Sequence, residues 1–182
     1  MDKSRHETGK HGYTFALSLI RRFAILSAAF LTFFSAPAQA EQWSLLLNGK
    51  ALHLEQRAGV QYNEENWGAG VQYDFKMTES KWIPFVTVSG FKDSNGNPSY
   101  YAGGGTMKRF SFGEDKNSLH LDAGVVAFVM TRKGYVDGKP FLGALPVISF
   151  GTDRVALNIT YIPKIDPKLV PIVFFQLKVG IF

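Results

Sequence analysis

The chain has 182 residues, with 20 Lys and Arg against 15 Asp and Glu and no Cys. The lack of Cys excludes a disulfide framework and any thiolate site. Five of the basic and two of the acidic residues fall in the first 40, so the rest carries 15 and 13, a net charge of +2, with no basic stripe or reader motif for nucleic acid.

In chain order, the first expected element is an export signal over residues 1–40. Arg21 and Arg22 form a basic region, Phe23 to Phe34 ("FAILSAAFLTFF") is an apolar run of signal-peptide length, and "SAPAQA" ends in the small-x-small pattern cut after Ala40. An uncleaved membrane anchor is disfavoured, because small residues follow the apolar run directly. The stretch before Arg21 is long for such a signal, which leaves open a true start downstream of Met1. Residues 41–182 then have the length of a single domain.

That domain shows no useful helical period. It shows short alternating segments separated by turn residues, the pattern of strands. Eight strands are expected: 43–54, 66–75, 82–91, 99–110, 119–131, 140–150, 155–162 and 170–182. Several reach about ten residues or more, the length of a tilted membrane-spanning strand. On the fifth, Leu119, Leu121, Ala123, Val125, Ala127 and Val129 alternate with His120, Asp122, Gly124, Val126, Phe128 and Met130. Trp43, Trp67, Tyr73, Trp82, Tyr100 and Tyr161 near strand ends suit a membrane-interface girdle. The expected fold is therefore all-β, an eight-stranded antiparallel up-and-down transmembrane β-barrel, with a soluble lipocalin-like barrel as the alternative. A chain ending in Phe182 resembles outer-membrane barrels, whose terminal aromatic is read by the outer-membrane assembly machinery, although here the apolar alternation follows Ile181.

With the N-terminus periplasmic, the loops after the first and third strands lie at the outer rim. Thr87, Ser89, Phe91 and Asp93 share a polar face, which points inward and sets Asp93 inside the outer mouth, with Ser94 at the turn. Of the two histidines after residue 40, His53 ends an upward strand at the same rim, while His120 begins one at the periplasmic end. His53, Asp93 and Ser94 are thus candidates for base, orienting group and nucleophile or polariser. The competing reading is an ordinary polar rim, where Asp and Ser are common turn residues. No cofactor is expected. Two distant histidines make no metal site, and the run Gly103-Gly104-Gly105 lacks the Lys-Ser/Thr and helix of a phosphate loop.

"QYNEENWGAG", "GFKDS", "AGGGTMKRF", "LHLDAGVVAFVMTR", "LPVISFG" and "TYIP" resemble, in order and spacing from Tyr62 to Pro163, the outer-membrane lipid A palmitoyltransferases of the PagP type. The resemblance implies an eight-stranded barrel in the outer membrane of a Gram-negative bacterium, reached through the periplasm and expected to be a monomer. It implies transfer of a palmitoyl chain from a membrane phospholipid donor to a lipid A acceptor. Asp93 and Ser94 match that family's catalytic motif, and His53 matches by its position before Tyr-Asn-Glu, across a shorter intervening stretch. Gly105, with Gly103 beside it, matches the glycine at the floor of the acyl pocket, where a side chain would raise the floor. Pro146 and Pro163 match prolines at points of lateral lipid access. For the glycines, barrel curvature or close strand approach is an equal reading. The family's N-terminal amphipathic helix has no counterpart before Trp43. A non-catalytic barrel that binds lipid or stabilises the membrane therefore stands as the alternative function.

Overall fold

The computed structural model describes residues 41–57, 59–114, 118–164 and 170–181. The expected signal over residues 1–40 and the terminal Phe182 lie outside them. The described chain forms β1 (Gln42–His53), β2 (Glu65–Asp74), β3 (Trp82–Lys92), β4 (Pro98–Ser111), β5 (His120–Arg132), β6 (Phe141–Gly151), β7 (Val155–Ile162) and β8 (Ile172–Gly180). A single 3-10 turn, Val136–Gly138, sits between β5 and β6. Each strand pairs antiparallel with the next, and β1 pairs with β8 to close the barrel. All eight expected strands are present. The last begins at Ile172 instead of residue 170, because Pro171 has no N–H for the ladder; its carbonyl instead accepts from the Leu54 N–H at 2.9 Å.

The alternation separates two faces. Outward residues are apolar and exposed, as with Leu142 (84% exposed), Trp67 (64%) and Val125 (57%). Asn48, Gln72, Asp122, Ser149, Asn158 and Gln176 point inward and are buried. A soluble barrel needs the reverse, so this is a transmembrane barrel and the lipocalin-like alternative falls. The aromatic girdle is present. Trp43 packs on Tyr73 and Tyr73 on Phe75, each with ring centroids 4.9 Å apart. Trp67, Tyr100 and Tyr161 are exposed near the opposite end, called upper here because it carries His53.

The lumen is layered. At the lower end Arg109 grips Asp122 with two bonds of 2.9 and 2.8 Å, donates to Asp153 at 2.6 Å and meets His120 Nε2 at 3.0 Å. Lys178 pairs with Asp74, which also accepts from Gln72 at 2.7 Å. Above lies an amide network. Gln176 donates to Asn48 at 2.7 Å and to the Tyr101 hydroxyl at 3.2 Å, and Asn48 donates to Ser89 at 2.8 Å. Each of these polar groups is hydrogen-bonded within the lumen wall or across it. Beside the amide network a cavity lined mainly by apolar residues runs down from the upper rim.

Candidate active site

The upper rim is assembled by a tight turn and a loop. Asp93 Oδ1 accepts from the backbone N–H of Asn95 and of Asn97, both at 2.9 Å, and the Gly96 N–H bonds to the Asp93 carbonyl at 2.8 Å. Gly96 has φ +75°, the left-handed conformation that this turn requires and glycine adopts at no steric cost. The turn holds Ser94 inward, 5% exposed. The loop between β1 and β2 and the start of β2 are stitched onto it: the Asn63 N–H bonds to the Ser94 carbonyl at 2.7 Å, and Asn66 Nδ2, on β2, bonds to the Lys92 carbonyl at 2.6 Å.

His53, the last residue of β1, therefore arrives beside Ser94, with Nε2 and Oγ 2.9 Å apart. The imidazole side chain is 2% exposed. It stacks flat on Tyr62, with centroids 4.2 Å apart and planes at 8°. Among the described residues its Nδ1 has no partner in hydrogen-bonding geometry, and it faces Glu64 Oε1 at 4.0 Å. A serine hydroxyl on an imidazole nitrogen is the geometry by which a base takes a proton from an oxygen nucleophile.

The third candidate, Asp93, adjoins the pair, but its carboxylate is turned elsewhere. Oδ1 holds the turn, and Oδ2 accepts from Arg132 Nε at 3.1 Å and from Ser99 at 3.5 Å. What fixes the ring is the Tyr62 stack and the end of β1, with Glu64 as the acid it faces.

Asp93, Ser94 and Arg132 stand at the mouth of a cavity of about 250 Å³. Phe91, Phe128, Met130 and Phe174 line its walls, and Phe85, Met107 and Val147 close it below as a buried apolar cluster. The cavity also has a side opening. β5 and β6 pair continuously from Met130↔Phe141 to His120↔Gly151, but β6 and β7 pair only from Val147↔Thr160 to Gly151↔Ala156. Above that ladder the cavity lining includes Leu142 and Ala144 of the outward face of β6, together with Ile162 and Pro163 across the gap. Pro146 occupies the first position where the ladder is absent, and a residue without an N–H cannot extend it.

A family model described as "Antimicrobial peptide resistance and lipid A acylation protein PagP" matches residues 42–177. The chain belongs to the PagP family. Proteins named "Lipid A acyltransferase PagP" from Bordetella pertussis (strain Tohama I) and Bordetella bronchiseptica (strain RB50) are each 30% identical to it over 102 residues. That match covers 56% of this chain and 54% of theirs, so the chain spans about half the length of the curated relatives it matches. Among solved structures, the Yersinia pestis outer membrane protein Ail in a phospholipid bilayer nanodisc aligns at a TM-score of 0.42 and 11% identity, covering 77% of this chain and 99% of that one.

Within this PagP-family site, the expected pocket glycines do not themselves line the cavity. Gly105 stands opposite Phe85 in the ladder, and a Cβ on it would lie 2.0 Å from the Val125 carbonyl oxygen and 2.8 Å from the Phe85 ring. Gly103 is likewise covered by Phe128. These glycines permit close strand approach and admit two large rings, so the rings form the wall and floor. Three rim residues escaped the sequence reading. Tyr62 and Glu64 lie within the quoted Tyr-Asn-Glu segment, and their role was hidden until the loop folded back. Arg132 continues the inward face of His120, Asp122, Val126 and Met130 by one more step of two; extending that alternation past residue 131 would have found it.

Proposed function

We propose that this protein is an outer-membrane acyltransferase that moves an acyl chain from a membrane phospholipid to lipid A. The observation that carries the reading is the His53–Ser94 pair, 2.9 Å apart, at the mouth of an apolar cavity that opens sideways between β6 and β7. Family membership and the lipid A acyltransferase relatives support the same reaction class.

An acyl chain enters through the gap flanked by Pro146 and Pro163, and its methylenes bury against Phe128, Met130 and Phe174 at about 0.8 kcal/mol each. This leaves the donor ester at the rim. His53 takes a proton from the attacking oxygen, either the lipid A hydroxyl itself or the Ser94 hydroxyl in a two-step route. The oxygen adds to the ester carbonyl, and the tetrahedral intermediate collapses. The glycerol oxygen leaves with the proton from the imidazolium as a lysophospholipid, giving acylated lipid A directly or, by the two-step route, an acyl-Ser94 ester. The lipid A hydroxyl, deprotonated by His53, attacks that ester in turn, Ser94 leaving with the proton returned by the imidazolium. Asp93 serves by shaping the turn that carries Ser94 and by holding Arg132. The apolar lining of the cavity suits a saturated chain, and palmitoyl is the group we take to be transferred. Residues 1–40 act as the export signal, and the barrel works as a monomer after insertion by the assembly machinery.

Mass spectrometry of lipid A tests the reading. Cells carrying the gene should gain a lipid A species heavier by one acyl chain, and His53→Ala and Ser94→Ala should each remove about 10²–10⁴-fold of it while the barrel still inserts and keeps its heat-modifiable gel mobility. An identical lipid A profile with and without the gene would leave a barrel that holds lipid without transferring it.

A further inference from the structure

Among the described residues, Arg132 is the single basic residue that lines the cavity, and Asp93 is the single acid. The acid is saturated: its two oxygens take two backbone N–H groups, the Ser99 hydroxyl and Arg132 Nε. The base is not. A guanidinium carries five N–H donors, and Nε spends one of them on Asp93. Among the described residues, Nη1 and Nη2 have no partner. The side chain is 23% exposed and lines the cavity together with Ser94.

This arrangement has direction. The Nε bond to a buried carboxylate fixes the plane of the guanidinium, and the turn fixes the carboxylate. The Nη1–H and Nη2–H edge is left as a pair of parallel donors, a fork that matches two oxygens of one tetrahedral anion. The neighbouring space takes hydrocarbon. A molecule that satisfies both has an acyl chain and a phosphate separated by a short spacer.

We propose that the Nη edge of Arg132 binds the phosphate of a lipid at the cavity mouth and so sets its ester against His53 and Ser94. The inference rests on the acyltransfer reading and adds the part of the substrate that the site recognises. Phosphate occurs as the diester of a donor phospholipid and as the monoester on lipid A, and both offer the same oxygens to the fork.

The test compares three reactions of the full-length barrel in an uncharged detergent: hydrolysis of a phosphatidylcholine by water, transfer from it to lipid A, and hydrolysis of an uncharged acyl ester of equal chain length. Arg132→Gln should lower kcat/KM for the phospholipid reactions relative to the uncharged ester by about 10- to 100-fold, the range for hydrogen bonds to a charged group. Arg132→Lys, which keeps the charge and a bond to Asp93 but not the fork, should recover only part of that ratio. A fall in transfer to lipid A without a fall in phospholipid hydrolysis would assign the phosphate to the acceptor. Equal losses on all three reactions would mean that Arg132 acts only by holding Asp93, and would overturn the proposal. A binding measurement separates this from the enzyme reading itself. The Ser94→Ala barrel is titrated with dihexanoyl phosphatidylcholine and with dihexanoylglycerol, and the Ser94→Ala, Arg132→Gln barrel likewise. Loss of preference for the phosphatidylcholine in the double variant supports phosphate recognition even if no transfer is ever detected. Equal preference in both barrels overturns it.

Discussion

The two ends of the barrel lumen use nearly the same residues to opposite effect. The lower end holds His120, Asp122, Asp153 and Arg109; the upper end holds His53, Asp93, Ser94 and Arg132. Below, Arg109 engages two carboxylates and a histidine, and Asp122 is 1% exposed. Above, Arg132 spends one donor on Asp93, and His53 Nδ1 has no hydrogen-bond partner among the described residues. The difference is satisfaction. Charges that close on one another fill space, and polar groups left with unused bonding capacity beside a cavity are available to a substrate.

The first way to break this comparison is to remove the central cation below. Arg109→Ala leaves Asp122 buried without its bidentate partner, and breaking such a pair costs about 3–5 kcal/mol. The denaturation midpoint of the folded barrel should fall accordingly, with acyl transfer per folded molecule retained. His120→Ala should behave in the same way with a smaller loss, since Arg109 still holds both carboxylates. Transfer abolished in a barrel of unchanged stability would mean that the lower cluster is a functional site and that the contrast between the ends is misread.

Much of this layout was legible in the sequence. Period-two alternation is a local property, so all eight strands could be read, and with them the end of the barrel at which each histidine lies. Ser94 and His53 could be put at one mouth for the same reason. The partner of Asp93 could not. Arg132 is 39 positions away and two strands distant, and only the registers of β3 with β4 and of β4 with β5 bring the two together. The covering of Gly105 by Phe85 depends on register as well, since a glycine read alone implies empty space whether or not a neighbouring ring fills it. Loops are the other gap: no periodicity signals that Tyr62 folds back to stack on His53.

The role of Asp93 sharpens the comparison at intermediate size. Asp93→Asn retains an oxygen that can accept from the Asn95 and Asn97 N–H groups and removes the charge that faces Arg132. With its one oxygen on the turn, the amide turns an NH2 toward the Arg132 Nε–H, so the charged bond, worth about 1.5–3 kcal/mol, is lost. Transfer should therefore fall by about tenfold, well short of the loss in His53→Ala. A loss as large as that of His53→Ala would mean that Asp93 turns toward the imidazole during catalysis and acts as its orienting group.

The smallest expected effect concerns acyl length. Gly105 is a poor place to probe it, because any Cβ there would strike the Val125 carbonyl, and the fold would answer before the selectivity did. Phe85 is the better handle. It is 4% exposed, and its ring fills the space that Gly105 leaves vacant, packed with Met107 and Val147 where the cavity ends. Phe85→Ala should deepen the cavity, at a stability cost of about 3–5 kcal/mol that a bound acyl chain partly offsets by filling the space. Each methylene that can then be buried gains about 0.8 kcal/mol, or roughly fourfold in preference. Mass spectra of lipid A should shift toward longer chains. Val126→Phe, on the neighbouring strand in register with Gly105, should shift them toward shorter ones. Length selection depends on depth and the rim on chemistry, so both variants should keep their dependence on Ser94. An unchanged chain-length distribution in a folded Phe85→Ala barrel would mean that the acyl chain stops above Phe85, and that the amide network around Gln176 sets the floor instead.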